Sequence, residues 1–232
     1  YLHFTMADNP ALTPQVREGY ARSFSGTFYR RFVLGEWVAA EGRVYDFFDE
    51  SMVRPVPQGE MERWCISCDY GTVNPTSLGL WGLQNGVWYR VKEYYYDSRA
   101  ERAQKTDGEY ADALEQLAGG RPIWKIVADP SAASFIEVLR RKGWRVEKAD
   151  NDVLAGIRTT AGLLKAGKLV ICEECRDAIR EFSLYCWDEK AVGDRVKKVH
   201  DHAMDDIRYF AATVAAGERG YFGGLCVERG RF

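Results

Sequence analysis

The apolar and polar positions change period along the chain, and the change divides it. In "LTPQVREGYARSFSGTFYRRFVLGEW" (12–37) Phe24, Phe28, Phe32 and Trp37 are spaced for one face of short helices. The Pro/Gly segment "RPVPQGE" (54–60) predicts a linker. From Trp64 the pattern becomes that of an α/β domain. "WCISCDYG" (64–71) predicts a strand ending in an aspartate, and "SLGLWGLQ" (77–84) and "GVWYRVKEYYY" (86–96) predict two more, joined through the hairpin dipeptide Asn85-Gly86. Together they make an antiparallel three-strand meander. Tyr110, Leu114 and Leu117 mark a helix within 99–118, and "PIWKIVAD" (122–129) is a buried strand that again ends in an acid. A strand reached across a helix returns parallel. A helix over 131–144, a short strand over 145–149, a helix over 153–168 stopped by Gly167 and a strand fragment over 169–171 follow. Next come a helix over 175–187, a polar hairpin through Gly193 and a last helix from about Asp201 to Ala216. This reads as a helical appendage (1–58), an α/β domain with a mixed sheet flanked by helices (59–218), and a Gly-rich, loosely ordered tail (219–232).

Composition narrows the functional classes. A chain of 232 residues, 46% apolar and 13% aromatic, can bury a full core. No apolar run approaches the ~18 to 20 residues of a membrane span, and the start "YLHFTMADNP" lacks a signal peptide's basic and then apolar regions. The expectation is a soluble cytoplasmic protein, cut from a longer chain because it begins in mid-pattern. A net charge of −2 is not the strongly basic footprint of a free-standing nucleic-acid binder. Charge is nevertheless clustered, with bases at Arg140, Arg141, Lys142 and Arg145 and at Arg195, Lys197 and Lys198, and acids at 201–206. Cys65/Cys68 and Cys172/Cys175 form C-x-x-C pairs and raise a zinc reading. Residues three apart on a strand point to opposite faces, and the wide gap between the pairs is foreign to zinc ribbons, so buried thiols in a reducing compartment are the expectation.

The candidate chemistry lies in carboxylates. Asp69 and Asp129 end two strands, and if these are adjacent and parallel both carboxylates emerge at neighbouring carboxyl ends, where open α/β sheets place their sites. Taken singly, each also suits a turn or helix cap. Together they repel unless a cation lies between them, and an all-oxygen site of this kind suits Mg²⁺ or Mn²⁺. A third acidic cluster, "HDHAMDDIRYF" (200–210), opens the last helix. There Asp201 and Asp205 share a face, and Asp201 suits an N-cap. Asp205 and Asp206 flank the stripe of Met204, Ile207, Ala211 and Val214 on opposite sides, so the helical wheel leaves both open as site residues.

The order of these features resembles the nuclease domain of the large terminase subunit of tailed bacteriophages, a ribonuclease H-like domain. "DNPAL", "RRFVLGEWVAAEGRVYDFF", "SCDYGTVNPTSLGLWG", "VADPSAASFIEVLRRKGW", "GIRTTAGLLKAGKLVI" and "DHAMDDIRYFAA" look like family segments in family order and cover nearly the whole chain. The resemblance implies that Asp69, Asp129 and Asp205 are metal ligands, with His202 beside them to orient a ligand or the attacking water. Asp206 stands where the family's closing motif has alanine, which leaves it open as a solvated acid or a repulsive charge near the metals. The implied activity is endonucleolytic cutting of concatemeric double-stranded DNA with two Mg²⁺ or Mn²⁺ ions. Arg195, Lys197 and Lys198 are candidate phosphate contacts, and Arg208 is a candidate partner for Asp205 or Asp201. The chain has no G-x-x-x-x-G-K-[ST] loop, so the ATPase region that drives packaging is expected upstream, with residues 1–58 as its end and the connector. The resemblance further implies the portal and the small terminase subunit as partners, the host cytoplasm as location, and no membrane. A junction resolvase or another ribonuclease H-like nuclease, a non-catalytic assembly module and a zinc-binding interaction domain are the competing readings.

Overall fold

The computed structural model describes residues 4–24, 26–36, 38 and 40–217. Trp37 and the expected tail over 219–232 lie outside the described residues. Among the described residues, seven strands form one mixed sheet: β1 (Val53–Arg54), β2 (Arg63–Asp69), β3 (Thr76–Gln84), β4 (Val87–Tyr96), β5 (Ile123–Ala128), β6 (Val146–Lys148) and β7 (Leu169–Cys172), in the order β1-β7-β4-β3-β2-β5-β6. β2, β3 and β4 are the antiparallel meander, β5 and β6 add in parallel beside β2, and β7 adds in parallel beside β4. Asn85 and Gly86 both take positive φ, 52° and 69°, as the tight hairpin turn requires. The aspartate-ending strand after the meander is thus fifth in the chain. β1, paired with β7 at the sheet edge, runs into the start of the segment that reads as a linker. Pro55 and Pro57 mask it in the sequence, since Pro tolerates only an edge position.

The helices are α1 (Pro14–Ser23), α2 (Gly26–Phe32), α3 (Asp107–Ala118), α4 (Ala133–Arg141), α5 (Val153–Lys165), α6 (Arg176–Leu184) and α7 (His202–Thr213). α3 starts at Asp107 because Thr106 and Glu109 form a capping box there. α7 ends at Thr213 and tightens into a 3-10 turn over Ala215–Gly217. Two hydrophobic cores flank the sheet. One holds Ile66, Cys68, Leu78, Leu80, Leu114 and Phe135 under α3 and α4. The other, under α5, α6 and α7, also takes in Ala40, Val44, Tyr45 and Phe48. Phe48 stacks on Phe182 at a centroid distance of 3.9 Å, so the chain ahead of β1 packs directly on α6.

The C-x-x-C pairs are split between the cores: Cys65 and Cys175 in one, Cys68 and Cys172 in the other. That division removes a common metal centre from either pair, as the strand geometry predicts for Cys65 and Cys68.

Candidate metal and nuclease site

β2 and β5 run side by side in parallel with Cys68 opposite Ala128, so the next residues, Asp69 and Asp129, leave the sheet at the same end. α7 packs across β3, β2 and β5 and is buried along its whole first two turns and beyond, from Ala203 to Ala211. It brings His202, Asp205 and Tyr209 to that end. One cleft of about 1000 Å³ is lined by Asp69, Asp129, Asp201, His202, Asp205 and Tyr209, among others. The three carboxylates singled out in the sequence therefore share one cleft, drawn from two strand ends and one helix.

Each carboxylate has its own protein partner. The Nδ1 of His202 lies 2.8 Å from Asp69 Oδ2. Burial pushes the Asp69 carboxyl up to about 7, against the lowering pull of His202 and with the charge of Asp205 adding to the rise. Burial also opposes protonation of His202, but the contact and charge of Asp69, aided by Asp201 and Glu181, hold its pKa above the usual range. The Tyr209 hydroxyl donates to Asp129 Oδ2 at 3.0 Å, while Asp129 Oδ1 accepts from the Ser131 backbone at 2.7 Å. Asp129 is thus a turn cap and a cleft residue together. Arg208 donates to Asp205 Oδ1 from Nε and Nη2 at 3.2 and 3.0 Å, and Lys198 Nζ donates to Asp205 Oδ2 at 3.0 Å.

Two sequence expectations are corrected by this geometry. Asp206 is neither a solvated acid nor a charge facing the cleft; it is 0% exposed. Its Oδ2 accepts from Arg90 Nη2 and Ser77 Oγ, each at 2.7 Å, and its Oδ1 from Ser67 Oγ. The helical wheel could not separate the two because α7 is buried from Ala203 to Ala211, with Asp205 turned to the cleft and Asp206 to the sheet. Asp201 stands at the N-cap position, but its side chain makes no capping hydrogen bond. Glu181 on α6 does that work, accepting from the Ala203 backbone at 2.7 Å, and Tyr95 holds its other oxygen at 2.7 Å. Asp201 is left facing Lys198 at 3.2 Å. Of the three hairpin bases, Lys198 lines the cleft, whereas Arg195 and Lys197 are exposed and do not. Sequence reasoning missed Tyr209 as a partner of Asp129, although its place four residues after Asp205 puts it on the same helix face.

The donor set suits a hard divalent cation: carboxylate oxygens with one imidazole at the rim and no thiolate. Among the described residues no three His, Cys, Asp or Glu side chains stand close enough together to form a finished metal centre. In their present positions Lys198, Arg208, His202 and Tyr209 satisfy the carboxylates.

No family model matches the chain, and no curated protein matches it. Among solved structures, the large terminase of a thermophilic bacteriophage, in complex with ADP, superposes with a TM-score of 0.88 at 49% identity, over 93% of this chain and 56% of that one. This chain belongs with the phage large terminases. It spans 56% of the length of that ADP-bound relative. Two further matches show the fold that this large-terminase chain adopts. The P22 large terminase nuclease domain aligns with a TM-score of 0.60 at 17% identity, over 74% of this chain and 91% of that one. The large terminase nuclease of the thermophilic phage G20c, with bound magnesium, aligns with a TM-score of 0.57 at 13% identity, over 74% of this chain and 97% of that one. The mixed sheet flanked by helices is the ribonuclease H-like arrangement.

Proposed function

We propose that this terminase chain carries the metal-dependent endonuclease that cuts concatemeric double-stranded DNA during phage packaging. The carrying observation is the convergence of Asp69, Asp129 and Asp205 on one cleft. The magnesium of the G20c nuclease structure supports the choice of a hard divalent ion. Asp69, Asp129 and Asp205 are the ligands in this reading, and two Mg²⁺ or Mn²⁺ ions held there would activate water and stabilise the leaving oxygen of the phosphodiester.

The chain's own residues do the positioning. Tyr209 holds Asp129, Arg208 holds Asp205, and Glu181 anchors the start of α7. His202 holds Asp69 and is placed to carry a proton at Nδ1. Lys198 at the cleft mouth, with Arg195 and Lys197 on the hairpin outside, supplies phosphate contacts. Residues 1–58 act as the connector from an upstream ATPase region, 59–218 as the nuclease domain and 219–232 as a tail. Double-stranded DNA, that ATPase region, the portal and the small terminase subunit are the partners, and the host cytoplasm is the site of action. Among the described residues no helix is long and apolar enough to cross a membrane.

Nicking of supercoiled plasmid with Mn²⁺ tests the reading. Asp69→Asn, Asp129→Asn and Asp205→Asn should each lower the rate by roughly a hundredfold or more while the circular dichroism spectrum stays native. Full activity in Asp205→Asn would remove α7 from the ligand set. Cleavage confined to four-way junctions or RNA–DNA hybrids would move the chain to another ribonuclease H-like activity.

A further inference from the structure

The two cations on Asp205 differ in kind. Arg208 is buried, and its stem is packed against α5 where Gly156 has no side chain: a Cβ there would lie 2.3 Å from Arg208 Cγ. It is a permanent part of the packing. Lys198 reaches Asp205 from the segment ahead of α7 with its side chain 63% exposed, and its ammonium lies 3.0 Å from Asp205 Oδ2 and 3.2 Å from Asp201 Oδ2. Asp201 is itself only 4% exposed. Because Glu181 has taken over the helix cap, the Asp201 carboxylate is turned to the same point as Asp205. Two buried carboxylates facing one point repel unless a positive charge stands between them. In the described structure that charge is the Lys198 ammonium.

We propose that Lys198 is a tethered counter-ion of Asp201 and Asp205, so that its ammonium and a divalent cation on Asp205 exclude one another. The proposal rests on the reading of Asp205 as a metal ligand and adds the event that must precede loading. A long exposed side chain held by a screened ion pair is easily displaced. A divalent charge satisfies both carboxylates better than one ammonium does. Once displaced, Lys198 stands at the cleft mouth, where a phosphodiester oxygen gives it a new partner. Cation loading and DNA engagement then favour each other, because each draws on the same released lysine, and such a coupling is reciprocal.

The test is Mn²⁺ binding to the full chain, read from the free-ion electron paramagnetic resonance signal, for the wild type, Lys198→Met, Lys197→Met and Asp69→Asn. Lys198→Met should tighten binding about fivefold, the scale of one weak exposed ion pair. Lys197→Met makes the same charge change outside the cleft and should move the affinity much less. Equal affinity in wild type and Lys198→Met overturns the proposal, as does an equal gain in the two lysine variants; in either case weaker binding in Asp69→Asn leaves the metal reading standing. Absence of Mn²⁺ binding in both wild type and Lys198→Met, with native circular dichroism, overturns the metal reading and this proposal with it.

Discussion

Asp206 shows how one residue changes meaning when its neighbours are known. In the motif it stands beside the expected ligand, yet its partner is Arg90 on β4, far away in sequence. Room for that guanidinium comes from Gly79 on β3, where a Cβ would lie 2.0 Å from Arg90 Nη1. A glycine inside an apolar strand signals such a close approach, so "SLGLWGLQ" together with an arginine in "GVWYRVKEYYY" held a trace of the pair. Nothing in the sequence named Asp206 as the acid that answers it. Removing one partner of a buried ion pair leaves an uncompensated charge, which costs about 3–5 kcal/mol. Arg90→Met and Asp206→Ala should therefore each lower urea-unfolding stability on that scale, and the combined variant should lose clearly less than the two losses added. Strict additivity would show that the two charges are not a pair. Any loss of nicking in a position-206 variant should follow this loss of stability.

At the scale of elements, α7 is the part on which the site depends, and its position is decided from outside. Its start is capped by Glu181 of α6, and Arg208 runs along the surface of α5 at Gly156. Gly156→Ala separates two effects of opposite sign. Alanine favours an isolated helix over glycine by about 1 kcal/mol. Overpacking against the middle of a buried arginine stem costs about 1–3 kcal/mol and should win. The variant should be less stable in urea and bind Mn²⁺ more weakly, because Arg208 can no longer hold Asp205 in place. A variant more stable than wild type would mean that the contact between α5 and α7 is looser than described. The strands of the meander were legible because each is rich in apolar and aromatic residues and bounded by turn residues. α7 was legible as a helix, but its buried polar flank was not, because a buried ion pair looks in sequence like a solvated face.

For the whole molecule, cation binding is coupled to folding. The site joins β2, β5 and α7, so an ion that holds Asp69, Asp129 and Asp205 binds only the assembled fold. At ten times its dissociation constant such an ion adds about 1.4 kcal/mol, or about 3–6 °C in melting temperature for a domain of this size. Mn²⁺ should produce this shift in the wild type, chelation should reverse it, and Asp69→Asn should largely abolish it. An equal shift in Asp69→Asn would place the ion elsewhere.

Local patterns alone determined the order of elements apart from β1, the split of Cys65 from Cys68 across the sheet, and the two strand-end aspartates, because period and turn chemistry are properties of neighbouring residues. The resemblance to large terminases then singled out Asp205. Only the tertiary structure decided that Asp206 is held by Arg90, that Glu181 and not Asp201 caps α7, and that Lys198 stands between Asp201 and Asp205. The physical reason is common to all three. Each is a charge balanced by a residue distant in the chain or by a loop whose path the local pattern does not specify, and the partner of a charge is set by packing.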